Sequence, residues 1–157
     1  MKLRVLDLFS GTQSVKKALD ERWPHWEYTS LDLANADINT DIMDWDYQNA
    51  YPPNHFDIIW ASVPCTYFSR LRRCNIGQNR NITAESIEED IKNIGLPMLE
   101  RTVEIINYFQ PKFCFIENPA TARTKDYVDE EMPFYVVDYC MYSDRKVCDT
   151  IIVDRCK

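Results

Sequence analysis

Phe56-Asp-Ile-Ile-Trp-Ala-Ser-Val-Pro-Cys65-Thr-Tyr-Phe-Ser-Arg70 decides how the rest of the chain reads. It begins as a run of β-branched and aromatic residues, the composition of a buried strand. It stops at Pro64, which has no N–H for a sheet and pushes Val63 towards an extended conformation. Cys65 follows at once, and then a polar loop that carries arginines. A cysteine just past the carboxyl end of a central strand stands where open α/β sheets bind ligands. A small buried thiol that merely packs the loop is the plainer alternative.

Upstream of that stretch, strand and helix alternate. Leu3 to Phe9 reads as a strand, Ser10 to Ser14 as a turn, and Val15 to Arg22 as a helix. Val15, Ala18 and Leu19 share one helix face, and Ser14 is placed to cap it. Glu27 to Leu33 is a second strand that ends in an acid. A strand, turn, helix, strand and acid within about 30 residues form the nucleotide-binding half of a doubly wound fold. The turn holds Gly11 alone and not a full glycine-rich fingerprint. Asp41-Ile42 follows a short third element, where a carboxylate can meet a base amino group or simply face water.

Downstream, Ser86-Ile-Glu-Glu89 fits a capping box, with Ile87, Ile91 and Ile94 at helical spacing. Gly95 and Pro97 break or kink this helix. It resumes from Met98 to Phe109 with Val103, Ile106 and Phe109 inward. Phe113 to Pro119 is the next buried strand, with Glu117-Asn118 at its carboxyl end, where an ionised carboxylate needs partners. Phe134 to Cys140 and Thr150 to Asp154 read as a hairpin that adds antiparallel strands to the sheet edge.

Composition bounds the classes. The 157 residues are 45% hydrophobic and 13% aromatic, which suits one globular domain spanning 1–157. No apolar leader or membrane-length run is present, so the expectation is a soluble, intracellular protein. Six cysteines occur without a Cys-x-x-Cys pair and beside only two histidines, which argues for reduced thiols and against zinc. The net charge of −7 is uneven. From Trp23 to Ser69 there is no Lys or Arg but there are seven acids, whereas Arg70, Arg72, Arg73 and Arg80 follow with none between them. A nucleic acid would meet that basic loop; an ordinary solvated cluster is the alternative.

Three motifs taken together resemble the S-adenosylmethionine-dependent cytosine-5 DNA methyltransferases. They are Asp7-Leu-Phe-Ser-Gly-Thr12, Pro64-Cys65 with Phe68-Ser69, and Glu117-Asn118-Pro119, in that family's order. The likeness is nearest to compact forms carried by phages and large DNA viruses. It implies a Rossmann-like α/β fold: a mainly parallel sheet, helices on both faces, and an antiparallel edge hairpin. It also implies S-adenosylmethionine as cofactor and DNA as partner, single-stranded or presented by a second protein, inside a host cell. Cys65 would then be the thiolate that adds to carbon 6 of cytosine, and Glu117 the group that holds or protonates the ring at N3. Asn118 would support the cysteine loop, and Arg145 would help to hold that loop and the base. Phe9, Ser10, Gly11, Thr12, Leu33 and Pro64 would line the cofactor, with Asp32 on the ribose and Asp41 and Ile42 at the adenine. Arg70, Arg72, Arg73 and Arg80 would meet phosphates. Gln13 and Ser14 stand where the family usually has two more glycines, and within these 157 residues no counterpart is expected of the larger members' target-recognition region or final pocket-closing helix. A catalytically silent module that binds cofactor or DNA, or an enzyme for RNA or free cytosine nucleotides, therefore remains as an alternative.

Overall fold

Val5, Leu6, Asp7 and Leu8 are all buried, which requires a strand covered on both faces. The computed structural model describes residues 1–78, 82–128, 133–137 and 150–154. Its elements run β1 (Arg4–Leu8), α1 (Ser14–Arg22), β2 (Glu27–Asp32), β3 (Ile38–Asn39), α2 (Tyr47–Ala50) and β4 (Ile58–Ala61). A 3₁₀ turn (Arg70–Asn75), α3 (Ala84–Asp90), a π-helical segment (Ile91–Gly95) and α4 (Leu96–Phe109) follow. The chain continues with β5 (Phe113–Pro119), a second 3₁₀ turn (Arg123–Asp126), β6 (Phe134–Val137) and β7 (Thr150–Asp154).

The strands form one sheet in the order β3-β2-β1-β4-β5-β7-β6. β1 pairs in parallel with β2 (Leu8 beside Leu31) and with β4 (Leu8 beside Ala61), and β4 pairs in parallel with β5 (Ala61 beside Ile116). β7 alone runs against its neighbours, inserted between β5 and β6. The hairpin expected from sequence is therefore present as an antiparallel pair, but β6 itself points the same way as β5. From β1 the chain moves to one side, and from β4 to the other. Right-handed crossovers then put α1 and α4 on opposite faces, and the place where the direction reverses lies between β1 and β4.

α4 buries Leu99, Thr102, Ile105, Ile106 and Phe109; of the three inward positions read from sequence, Ile106 and Phe109 are buried and Val103 is only partly so. Its Phe109 ring meets Phe56, Tyr47 and Trp45 at centroid distances of 5.0, 6.0 and 6.3 Å, which anchors the amino-terminal half of the core. α1 fully buries no residue, and Ala18, assigned to its inner face, is exposed.

Four local expectations are corrected. Ser14 is the first residue of α1 and not its cap; Gln13 precedes it in the left-handed region, with no side-chain cap. The capping box of α3 sits three residues earlier than Ser86: the Thr83 hydroxyl accepts from Ser86 N at 3.1 Å, and the Ser86 hydroxyl accepts from Thr83 N at 3.0 Å. Gly95 and Pro97 do not break the helix. The π segment absorbs the irregularity, and Pro97 falls in the first turn of α4, where a missing N–H costs no bond. Ile94 is exposed, because the extra residue of the π segment rotates it out of the Ile87–Ile91 face. Among the described residues, Cys65 and Cys74 are free thiols, and no helix is long and apolar enough to cross a membrane.

Candidate active site

The reversal between β1 and β4 opens a cleft at the carboxyl ends of the strands, the ligand position of an open α/β sheet. The turn after β1 forms its floor. Phe9, Gly11 and Gln13 all adopt positive φ, at 60°, 48° and 55°. Gly11 enters that region at no steric cost, whereas Phe9 and Gln13 do not. Tertiary bonds hold them there. Ser10 N donates to Leu31 O at 3.2 Å, and the Gln13 side-chain amide donates to Asn35 O at 2.6 Å. Of the two positions that depart from the resembled family's glycines, Gln13 is strapped into a glycine-like conformation, whereas Ser14 is the first helical residue of α1.

Asp32, at the end of β2, accepts from Gly11 N and from Leu33 N, both at 2.7 Å. Each carboxylate oxygen keeps a second lone pair for a ligand hydroxyl. Beyond β3, Asp41 accepts from Met43 N at 2.9 Å, and Ile42 is buried. Phe9, Asp32, Leu33, Asp41, Ile42 and Pro64 line one cavity of about 370 Å³, together with Tyr67 and Met98. Phe9, Ser10, Gly11, Thr12 and Glu117 line a second of about 480 Å³. Phe9 and Ser62 belong to both, so the two are adjoining halves of one cleft.

Each half has its own chemistry. The first is largely apolar, with carboxylates at Asp32 and Asp41, and suits a nucleoside. The second brings the carboxyl groups of Asp7 and Glu117 to a wall shared with Trp60, and among the described residues no Lys or Arg lines it. That combination suits a ligand carrying positive charge. Ser10 Oγ is buried beside it without a hydrogen-bond partner, an arrangement that a polar ligand group can satisfy.

Asp7 was not singled out from sequence. It is 1% exposed, and burial raises its pKa from 3.8 to about 6, opposed by a hydrogen bond from Tyr28 and assisted by Asp32. The Tyr28 hydroxyl donates to Asp7 Oδ2 at 2.6 Å. An acid inside a buried strand was the signal for it. Tyr67 and Met98 reach the cleft only through tertiary packing, and no local pattern marks them.

The cysteine turn is tied down from several sides. β4 ends at Ala61, three residues before Pro64, and Asn118 takes up the carbonyl of Val63 two residues further on. Asn118 Nδ2 donates to Val63 O at 2.8 Å and to Glu117 O at 2.9 Å, while Thr124 Oγ1 donates to Asn118 Oδ1 at 2.9 Å. The end of β5 is thereby stitched to the end of β4. Phe68 N donates to Cys65 O at 3.0 Å, and Arg123 N donates to Phe68 O at 2.9 Å. The Phe68 ring is fully buried and lies against Gly95. Cys65 itself is half-buried between Pro64 and Thr66, both of which line the first cavity.

The basic loop is only partly open. Arg72 is paired with Asp90 and is about one-fifth exposed. Arg73, more exposed, is 3.4 Å from Glu88, which Arg123 also holds. Arg70 is exposed. Arg80 and Arg145 lie outside the described residues. The acids of the Trp23–Ser69 segment are mostly engaged as well. Asp37 accepts from Ser30 N and Oγ, Asp46 caps α2, and Asp57 pairs with Lys112 and Arg4.

Comparison with known proteins fits this geometry. No family model matches the chain. It is 51% identical over 142 residues to a protein of Frog virus 3 (isolate Goorha) named "Probable DNA (cytosine-5)-methyltransferase". That alignment covers 90% of this chain but 65% of the relative, so the chain spans just under two thirds of the viral protein. Among solved structures, a SAM-dependent methyltransferase from Archaeoglobus fulgidus superposes with a TM-score of 0.52 at 11% identity, covering 98% of this chain and 86% of that one. The DszA carbon methyltransferase superposes with a TM-score of 0.51 at 12% identity, covering 98% and 47%. The chain is therefore a relative of the frog-virus protein, built on the mainly parallel α/β fold of the S-adenosylmethionine-dependent methyltransferases.

Proposed function

We propose that this chain methylates carbon 5 of cytosine in DNA, with S-adenosylmethionine as cofactor and Cys65 as nucleophile. One observation carries the reading: a two-chambered cleft at the switch point, with Pro64 and Thr66, the two neighbours of Cys65, lining one chamber and Glu117 lining the other. The identity with the viral relative supports it.

The residues present fit the cofactor. Ile42, Leu31 and Tyr67 offer apolar walls for an adenine, Asp41 an acceptor for its amino group, and Asp32 an acceptor for ribose hydroxyls. The carboxyl-lined half next to Phe9 and Trp60 would take the charged amino-acid end. When bound, S-adenosylmethionine supplies an electrophilic methyl group on a sulfonium centre.

The chain's own groups would do the rest. Thiolate Cys65 adds to carbon 6 of the cytosine, forming a carbon–sulfur bond and moving electron density to carbon 5 and N3. Glu117 hydrogen-bonds or protonates N3 and so stabilises that charge. Carbon 5 would then take the methyl group from the sulfonium, whose sulfur leaves as the neutral thioether; once carbon 5 gives its proton to a base, the carbon–sulfur bond to Cys65 would break and the thiolate return. Asn118 keeps the thiol in line by holding Val63 O, so that its attack angle does not depend on a mobile loop. Arg70 and Arg73, with Arg80, would meet the phosphates.

The test is a trap with DNA that carries 5-fluorocytosine, whose fluorine cannot leave as a cation. A stable adduct is expected that requires S-adenosylmethionine, maps to Cys65 and disappears in Cys65→Ala but not in Cys74→Ala. Single-stranded or mismatched cytosine should react faster than a perfect duplex, because extruding the base costs about a few kcal/mol less. An adduct on any other cysteine, or transfer to free nucleotides or RNA in preference to DNA, defeats the proposal.

A further inference from the structure

The nucleoside half of the cleft owes one wall to a segment with little regular structure of its own. Thr40, Asp41 and Ile42 lie between the two-residue strand β3 and the short helix α2. Few ladder bonds fix so small an element, yet Ile42 must stay within van der Waals reach of a ligand. Thr40 N donates to Asp32 O at 3.0 Å and Asp44 N to Asp41 O at 3.0 Å, and the bonds that tie the segment to the rest of the core beyond β2 come from α4, more than fifty residues away in the chain. Arg101 Nε donates to Ile42 O at 3.3 Å, and Arg101 Nη2 donates to Trp45 O at 2.9 Å.

The guanidinium is in turn held in place. Its Nη1 donates to Glu104 Oε2 at 2.8 Å, and its centre lies 4.8 Å from the Tyr47 ring. The Tyr47 hydroxyl donates to the other oxygen, Glu104 Oε1, at 2.7 Å. These bonds keep Glu104 ionised: hydrogen bonds from Tyr47 and then Arg101 lower its pKa. A planar fork can serve two carbonyls and a carboxylate at once, which an ammonium cannot. Met98, one turn earlier on α4, lines the same cavity. α4 therefore supplies a wall of the slot and, through Arg101, sets the position of a second wall.

We propose that Arg101 is a positioning residue for the cofactor's nucleoside, acting through the Ile42–Trp45 backbone, a role that rests on the reading of the cleft given above. Among the described residues the hydrogen bonds of Arg101 go to Ile42, Trp45 and Glu104 and none to the cysteine turn, which is held by Asn118, Arg123 and the bond within the turn. Its loss should thus weaken cofactor binding and spare the chemistry at saturation.

Calorimetric titration with S-adenosylhomocysteine, paired with the 5-fluorocytosine trap at saturating S-adenosylmethionine, tests this split. Arg101→Met should weaken binding about tenfold or more, the usual consequence of losing charged hydrogen bonds. Arg101→Lys should resemble Arg101→Met more than the wild type. Glu104→Gln should give a smaller loss in the same direction. The trapping rate at saturation should stay at the wild-type value in all three. If Arg101→Met does not fold, Arg101→Lys and Glu104→Gln carry the same criteria. Wild-type affinity in the variants overturns the role of Arg101 alone, as does a rate at saturation that falls as far as the affinity. Absence of binding by the wild-type protein overturns both this inference and the cofactor reading beneath it.

Discussion

Asp7 holds its proton where an ordinary aspartate has lost it. Burial is the main cause, and it raises the pKa from 3.8 to about 6. An acid whose pKa is higher folded than unfolded binds more protons in the native state between those values, so stability falls as pH rises through that window. The fall amounts to roughly 3 kcal/mol and is complete above about pH 6. Asp7→Asn keeps an acceptor for Tyr28 without the buried charge. We expect denaturant unfolding at pH 7 to show the variant more stable than the wild type, with the advantage vanishing near pH 4. Calorimetry should show the opposite for ligand: weaker S-adenosylhomocysteine binding in the variant, because the ionised carboxyl is what a cationic group would meet. Equal stability at pH 7 would show that Asp7 carries no such penalty. At this scale the sequence was legible where a polar residue ended an apolar run, as at Asp32, Cys65 and Glu117. Asp7 itself was hidden, since desolvation is imposed by strands that pack on it from elsewhere. Ser14 misled for a related reason: the left-handed Gln13, fixed by Asn35, starts the helix without any cap.

The π-helical segment Ile91–Gly95 is the element on which the cysteine turn rests. A Cβ at Gly95 would stand 3.0 Å from Phe68 Cζ and 3.1 Å from Tyr67 Cβ, closer than such contacts normally come. Phe68 is buried and cannot swing aside, so the turn that begins at Cys65 would have to give by a few tenths of an ångström. Gly95→Ala should cost about 1–3 kcal/mol in urea unfolding, the usual range for overpacking. It should also slow adduct formation at Cys65 by more than it weakens cofactor binding. A variant with wild-type stability and rate would mean that the turn is more compliant than its packing suggests. Sequence located a helix on each side of Gly95 but read the glycine, with Pro97, as a break or kink, where the structure has a π-helical segment. A π turn has no local signature; it forms because Ile87 and Ile91 on one side, and Leu99 and Thr102 on the other, must all face the same core.

Over the whole molecule, the alternation of strands and helices made the mainly parallel sheet legible, because such a sheet leaves few topologies once crossovers are right-handed. The direction of β6 was not legible, since the order of the last two strands depends on which of them fits beside β5. Charge was legible as a sum but not as a distribution. Arg72 is bound to Asp90, so the loop offers at most Arg70, Arg73 and Arg80 to phosphates. The affinity for DNA should therefore fall with salt on a log–log slope no steeper than about −3. Arg72→Gln should lower stability and leave that slope unchanged, and a slope reduced in this variant would mean that Arg72 leaves Asp90 for DNA. The place of β7 has a consequence in time. Glu117 and Asn118 pair with Ile152 and Ile151, so the strand that carries the proposed acid is flanked on that side by residues made more than thirty positions later. At the pace of translation this is a delay on the order of seconds. For that interval β5 emerges with an open edge, a template on which a neighbouring nascent chain can pair. Crowded synthesis of this protein should favour aggregates seeded at β5, and slower synthesis at lower density should favour the native sheet.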